Sequence, residues 1–124
     1  MTRTRREIRA LGPTWNPTVL WYAKAVGALL QKPITDKLSW RYLAAIHNFD
    51  KDKWIGFKYL TKQEKLPDKK EQGKYWQQCQ HQSWYFWPWH RAYLHTFEDI
   101  LLDWIKSQNG PPDWALPTSA WRVV

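Results

Sequence analysis

Apolar residues recur at helical spacing in three stretches of the chain, and the first of these begins at Asn16-Pro17. Asparagine is a preferred N-cap, and proline suits the first position of a helix. Lys32-Pro33 ends this stretch, because the residue before a proline is driven out of helical geometry. The apolar positions between these limits are Val19, Tyr22, Val26, Leu29 and Leu30. The pattern predicts an amphipathic helix here.

A second helix is predicted from Thr35 or Asp36 to about Phe49. One face of it carries Trp40, Leu43, Ala44 and His47. Taken alone, a histidine on such a face is more often a core residue that is hydrogen-bonded to the backbone than a metal ligand.

The third helix is predicted from Trp89 to about Lys106. Asn109-Gly110 is a plausible stop, and Pro111-Pro112 prevents the helix from resuming. Leu94, Phe97 and Leu101 share the face of His90. His95 lies about 140° around the helix from His90, so we expect it not to share a metal ion with His90.

The three periodic segments predict an all-α fold, an antiparallel helical bundle in a single domain over residues 1–124. Residues 1–14 form a basic N-terminal arm, and residues 111–124 form an irregular tail. Residues 50–80 are rich in lysine and are expected to form a long polar loop, with a short turn of helix near Glu71 to Gln77.

Composition adds few functional constraints. Eleven tryptophans suit a small core, and their excess also fits a protein that packs against a second half. The net charge of +8 is split between the N-terminal arm and the loop, and no nucleic-acid-binding motif accompanies it, so we expect no nucleic-acid partner. One cysteine excludes an internal disulfide.

No membrane span or secretory signal is evident, and a cytoplasmic location is expected by default.

The chemistry of the chain is concentrated between Cys79 and Glu98. His81 and His90 flank an aromatic run, and Cys79 lies two residues before His81. His47 lies on the preceding predicted helix. Three neutral imidazoles beside an aromatic wall suit copper, zinc or iron, and their spacing alone does not choose among these metals.

This segment resembles the first copper-binding motif of the type-3 copper proteins, which are the tyrosinases, catechol oxidases and hemocyanins. Phe86 is the phenylalanine of this motif, and Trp87 follows it where the family usually has a small aliphatic residue. A weaker resemblance extends from about Arg5 to Leu116. The matching motif positions are His81, Phe86, Trp89, His90, Arg91, Tyr93, Leu94 and Glu98.

The resemblance implies that copper is held between the second and third helices by His47, His81 and His90. The fold would then be half of the four-helix copper core of tyrosinases. Phe86 would pack on the site. The resemblance also implies a thioether between Cys79 and His81, the alternative being an unmodified thiol.

Arg91 and Glu98 are expected to have a structural role, and to pair with each other. Neither is a candidate ligand in the motif.

The activity that the resemblance implies is oxidation of phenols or o-diphenols to quinones by O2. Such proteins hold a second copper through a His-x-x-x-His pair, but this chain has four histidines and no such pair. It resembles half of a binuclear site. Four interpretations remain open: a homodimer that completes the site, a mononuclear copper-binding domain, a truncated fragment without oxidase activity, and a hemocyanin-like carrier of oxygen or copper.

Overall fold

The protein was described by a computed structural model, which covers residues 3–12 and 15–119. The fold is all-α, as the sequence pattern predicts, and no strand occurs in these two ranges beyond an isolated bridge between Glu7 and Thr118. A 3₁₀ turn over Ile8–Leu11 precedes five helices. They are α1 (Pro17–Leu30), α2 (Trp40–His47), α3 (Lys51–Gly56), α4 (Lys69–Tyr75) and α5 (Phe86–Ser107). No helix in the described part of the chain is both long and apolar enough to cross a lipid bilayer.

The chain divides into two compact units. One unit comprises residues 1–28 and 94–124, and the other comprises residues 29–93. The boundaries fall within α1 and α5. All of the candidate ligands belong to the unit of residues 29–93, which we call the metal-site unit. That the chain is a single functional domain remains a prediction.

Helix α2 is shorter than the sequence predicts, because its cap is Ser39 and not Thr35 or Asp36. The buried Ser39 hydroxyl accepts a hydrogen bond from the Tyr42 N–H at 3.0 Å. The Asp36 carboxylate instead accepts from the Leu38 N–H at 2.8 Å and from Lys32 at 3.0 Å, which holds residues 36–38 in a turn. The helix ends at His47, two residues before the predicted end. This places His47 at the end of the helix and not in its interior.

The segment of residues 50–80 is more ordered than expected, since it contains α3 and α4. Asp50 caps α3 by accepting from the Lys53 N–H at 3.0 Å, and Asp68 caps α4 by accepting from the Glu71 N–H at 2.8 Å. The short helix predicted near residue 71 is confirmed and begins at Lys69. Helix α3 was not predicted from the sequence, although an aspartate in the cap position was a usable signal.

The core of the metal-site unit is built on Trp76. Its ring meets the edge of Tyr42 at a centroid distance of 5.6 Å and lies 4.5 Å from Phe49. The Tyr42 hydroxyl donates to the Glu71 carboxylate at 2.8 Å, and burial together with this carboxylate raises the pKa of Tyr42. The fully or nearly buried members of this core are Ile34, Tyr42, Ala45, Leu60 and Trp76.

Helix α5 begins at Phe86, three residues before the predicted start at Trp89. Pro88 therefore lies inside the first turn. Its missing N–H costs no hydrogen bond there, because the first four N–H groups of a helix have no partner within the helix. The early start places His90 in the second turn, so that the carbonyl of Phe86, one turn earlier, faces the His90 ring.

In the other unit, Glu98 is buried. The pairing with Arg91 that the sequence suggested is not observed, and Glu98 has other partners. Its carboxylate accepts from Arg5 Nε at 2.6 Å and from the Leu116 N–H at 3.0 Å. The bridge at Glu7 joins the arm to the tail through the Ile8 N–H, which donates to the Thr118 carbonyl at 2.7 Å. The described parts of the basic arm and of the tail are thus fixed by hydrogen bonds, which composition alone did not suggest.

Candidate metal centre

Four side chains of the metal-site unit converge on one point. His47 is the last residue of α2, Cys79 and His81 follow α4, and His90 lies near the start of α5. One donor atom from each of the four lies within 4.8 Å of every other. The sequence-predicted ligands His47, His81 and His90 are thus brought together, and Cys79 lies among them.

Backbone hydrogen bonds bring the Cys79 segment to the end of α2. The N–H groups of Gln77 and Gln78 donate to the carbonyls of Ala45 and Ile46 at 2.9 and 2.8 Å. The last carbonyls of a helix have no partner within the helix, so they are free to hold a passing chain. Because Gln77 and Gln78 directly precede Cys79, these two bonds place Cys79 beside His47.

The ring of His90 is held in one orientation by its own helix. Nδ1 of His90 lies 2.7 Å from the carbonyl oxygen of Phe86, one turn earlier. A carbonyl only accepts, so Nδ1 carries the proton and Nε2 of the neutral ring presents a lone pair. A hydrogen bond of this kind to the second nitrogen is common in metal-binding histidines. This role of the Phe86 carbonyl was not predicted from the sequence, although the four-residue spacing within a helix was a usable signal.

Aromatic rings surround the imidazoles. The Phe86 ring packs on His90 at a centroid distance of 4.2 Å, in the position that the motif predicts for it. Trp89 stacks on Tyr93 at 5.1 Å with an interplanar angle of 11°. The Tyr93 hydroxyl donates to the Leu43 carbonyl at 2.8 Å, and its ring lies 6.0 Å from that of His47. These contacts restrict the rings of His47 and His90.

The four candidate metal-binding atoms lie close together, and the protons available among them are too few to give each atom a hydrogen bond. Sγ of Cys79 lies 3.4 Å from His47 Nε2, 3.3 Å from His81 Nε2 and 3.2 Å from His90 Nε2. His47 Nε2 and His90 Nε2 are 3.3 Å apart. The thiol has one proton and can donate to one nitrogen at a time, whereas a cation at the centre would interact favourably with every lone pair. Imidazole nitrogens with a thiol suit copper or zinc in particular.

Burial favours the neutral forms of His47, Cys79 and Tyr93. Desolvation, with the neighbouring His90 and His81, lowers the pKa of His47, so that its ring stays neutral to lower pH than an exposed imidazole would. Neutral imidazole is the form that binds metals. Burial also raises the pKa of the Cys79 thiol and that of Tyr93.

The four candidate donors differ in their exposure to solvent. His81 is exposed, whereas His47, Cys79 and His90 are half-buried. Two large aromatic side chains near His81 in the sequence lie in solvent: Trp84, which precedes α5 and is 98% exposed, and Trp87, which lies in the first turn of α5 and is 78% exposed. Exposed aromatic surface of this kind marks sites of interaction.

His95, which the sequence analysis excluded as a ligand, lies in the other unit and is not part of the four-residue group. Its Nδ1 lies 3.0 Å from a carboxylate oxygen of Asp99, one turn further along α5. This histidine therefore has a partner within its own helix.

Comparison with known proteins agrees with this geometry. Residues 37–122 match the family model described as the common central domain of tyrosinase. Tyrosinase HcTyr1 of Hahella sp. (strain CCB-MM4) is 35% identical over 117 residues, an alignment that covers 93% of this chain and 24% of the relative. The chain thus spans about a quarter of the length of the curated relative that it matches. The family model covers more than half of the chain, and the chain therefore belongs to the tyrosinase family.

Proposed function

We propose that this protein oxidises phenols or o-diphenols to quinones with O2, at a copper site whose ligands are His47, His81 and His90. The observation that carries the proposal is the convergence of the three imidazole nitrogens at one end of α2 and one end of α5. Family membership supports copper as the metal, since geometry alone leaves zinc as an alternative.

The residues of the chain bind and orient, and the metal supplies the redox chemistry. Copper, when bound, provides the one-electron steps that couple phenol oxidation to the reduction of O2. Each diphenol gives up two electrons and two protons, so two diphenols reduce one O2 to two waters. The Phe86 carbonyl fixes the tautomer of His90, and because His81 is exposed, a small substrate would approach the metal from the side of His81.

We propose that a second copy of the chain completes the site. Coupling to O2 in this family uses two coppers, and four histidines are too few to provide two sets of three imidazoles. A two-fold dimer would place two identical centres face to face. The side chains of Trp84 and Trp87, which are close in sequence to His81 and His90, are exposed and would be buried in such an interface.

Oxidase activity is therefore expected to depend on association. With copper supplied, the rate of catechol oxidation should rise with the square of protein concentration when the protein is dilute, and linearly once dimers saturate. The measurement is initial rate against concentration, beside the mass from light scattering. Trp87→Ser should shift the dimer transition to higher concentration. Trp15→Ser is the matched control, because Trp15 is also exposed, at 68%, and lies in the other unit.

Other outcomes of this experiment would identify the other interpretations. A monomer that oxidises catechol contradicts the shared site. An inactive monomer with one copper supports a mononuclear copper-binding domain, and an inactive dimer that binds O2 reversibly supports a carrier. Activity that appears only after addition of the remaining part of a longer tyrosinase would identify the chain as a fragment.

We also propose that Cys79 becomes linked to His81. Sγ lies 3.3 Å from His81 Nε2, and therefore close to the ring carbons that adjoin this nitrogen. Forming the C–S bond removes the thiol hydrogen and one ring hydrogen, and O2 would accept the two electrons and two protons as H2O2.

A further inference from the structure

The sulfur of Cys79 lies beside three histidines and not beside His81 alone. It lies at nearly equal distances, 3.2 to 3.4 Å, from the Nε2 atoms of His47, His81 and His90. A side chain placed solely for a bond to His81 has no reason to be equally close to the other two rings. The sulfur therefore completes a set of four donors around one point.

These distances match the edges of a tetrahedron around a metal ion. Four of the six donor–donor separations are known individually, and they span 3.2 to 3.4 Å. The centre of a regular tetrahedron with such edges lies about 2.0 Å from its corners, which is the length of a metal–imidazole bond and slightly less than the ~2.3 Å of a zinc–thiolate bond. All four donors lie within 4.8 Å of one another, so small movements of the exposed His81 would complete the set.

We propose that in the chain without a thioether, Cys79 is a thiolate ligand, and that it closes the site as a four-coordinate Cys-His₃ centre. This rests on the three-histidine site proposed above and adds a means of regulating it. A closed tetrahedral set of soft and borderline donors suits Cu⁺ and Zn²⁺ and leaves no position for O2 or a phenol. Linking the sulfur to His81 removes the thiolate from the ligand set and opens one position.

A cysteine binds a metal ion as the thiolate, so a cation held by Cys79 displaces the thiol proton. Metal binding to a thiol releases that proton, which makes the fourth ligand detectable apart from any activity. The unlinked chain is then a metal-holding form and the linked chain is the form that can be active. No residue outside the four donors is needed for this switch.

Cobalt tests the proposal directly, because a thiolate bound to Co²⁺ gives an intense near-ultraviolet charge-transfer band that imidazole ligands do not give. The protein is prepared reduced and without copper, so that Cys79 stays unlinked, and is titrated with Co²⁺ alone. We expect one Co²⁺ per chain, the near-ultraviolet band and the strong visible bands of a tetrahedral ion. Cys79→Ser should lose the near-ultraviolet band and should bind Zn²⁺ at least tenfold more weakly, whereas His95→Ala should match the parent protein.

The outcomes separate this proposal from the one on which it rests. If the parent protein and Cys79→Ser both bind Co²⁺ and neither shows the near-ultraviolet band, Cys79 is not a ligand, and the three-histidine site stands without it. If neither protein binds Co²⁺ or Zn²⁺, the metal site itself is wrong and both proposals fail. A band in the parent protein with unchanged Zn²⁺ affinity in Cys79→Ser would show contact with the metal but would overturn the closed site.

Discussion

Replacing His90 by alanine is expected to remove nearly all copper binding. His90 Nε2 lies 3.3 Å from His47 Nε2 and 3.2 Å from Cys79 Sγ, and its ring is fixed by the Phe86 carbonyl and packed against the Phe86 ring. Loss of a group that merely orients a ligand lowers metal affinity roughly 10–100-fold, so loss of the best-oriented ligand should exceed that range. The measurement is copper per chain after dialysis against a competing chelator.

His95→Ala is the matched control, since it removes a histidine from the same helix. His95 is exposed and is paired with Asp99, so this variant should retain about one copper per chain. His47→Ala and His81→Ala should behave like His90→Ala. Full copper retention in His90→Ala, or copper loss in His95→Ala, would show that the metal lies elsewhere.

Replacing Trp76 by alanine is expected to cost about 3–5 kcal/mol of unfolding free energy, the range for a large aromatic residue in a core. Trp76 is 3% exposed and contacts both Tyr42 and Phe49. It also ends α4 directly before Gln77 and Gln78, whose N–H groups bind the end of α2. The variant should therefore lose copper affinity as well as stability, because the segment that carries Cys79 and His81 loses its anchor.

Trp76→Phe separates packing from hydrogen bonding. Among the described residues the indole N–H of Trp76 is buried and has no hydrogen-bond partner, so removing it leaves no acceptor unsatisfied. Trp76→Phe should therefore be clearly more stable than Trp76→Ala in urea titrations and should keep its copper. Equal stability of the parent protein and Trp76→Ala would contradict the role of this ring as the anchor of the site.

Much of the candidate site was predictable because its residues lie close together in a long motif. His81, Phe86 and His90 fall within ten residues, and their spacing relative to the start of a helix fixes their approximate arrangement. His47 is distant in sequence, but its place on an amphipathic face already directed it to the interior. The all-α fold followed from periodicity, which depends only on local sequence.

What the sequence did not predict depends on contacts between distant segments. Glu98 is bound by Arg5 and by the Leu116 backbone, and neither partner lies near it in the chain. The start of α2 depended on whether Asp36 or Ser39 acted as the cap, and both residue types are good caps, so propensity could not decide. Helix α3 is six residues long, too short for a periodic pattern to appear.

The placement of Cys79 is a further case. Its position two residues before His81 suggested a partner in His81 alone, whereas the structure puts its sulfur beside three imidazoles. That arrangement arises from the hydrogen bonds of Gln77 and Gln78 to α2, which bring two distant ligands to the same point. No local pattern contains this information.

If copper is held by His47, His81 and His90, anomalous diffraction will locate it there. Data would be recorded on both sides of the copper absorption edge, from crystals of the copper-loaded protein. We expect one dominant peak about 2.0–2.1 Å from the Nε2 atoms of these three histidines, the usual length of a metal–imidazole bond. A dominant peak at His95, or a cluster of the three imidazoles without anomalous signal in crystals that contain copper, would contradict it.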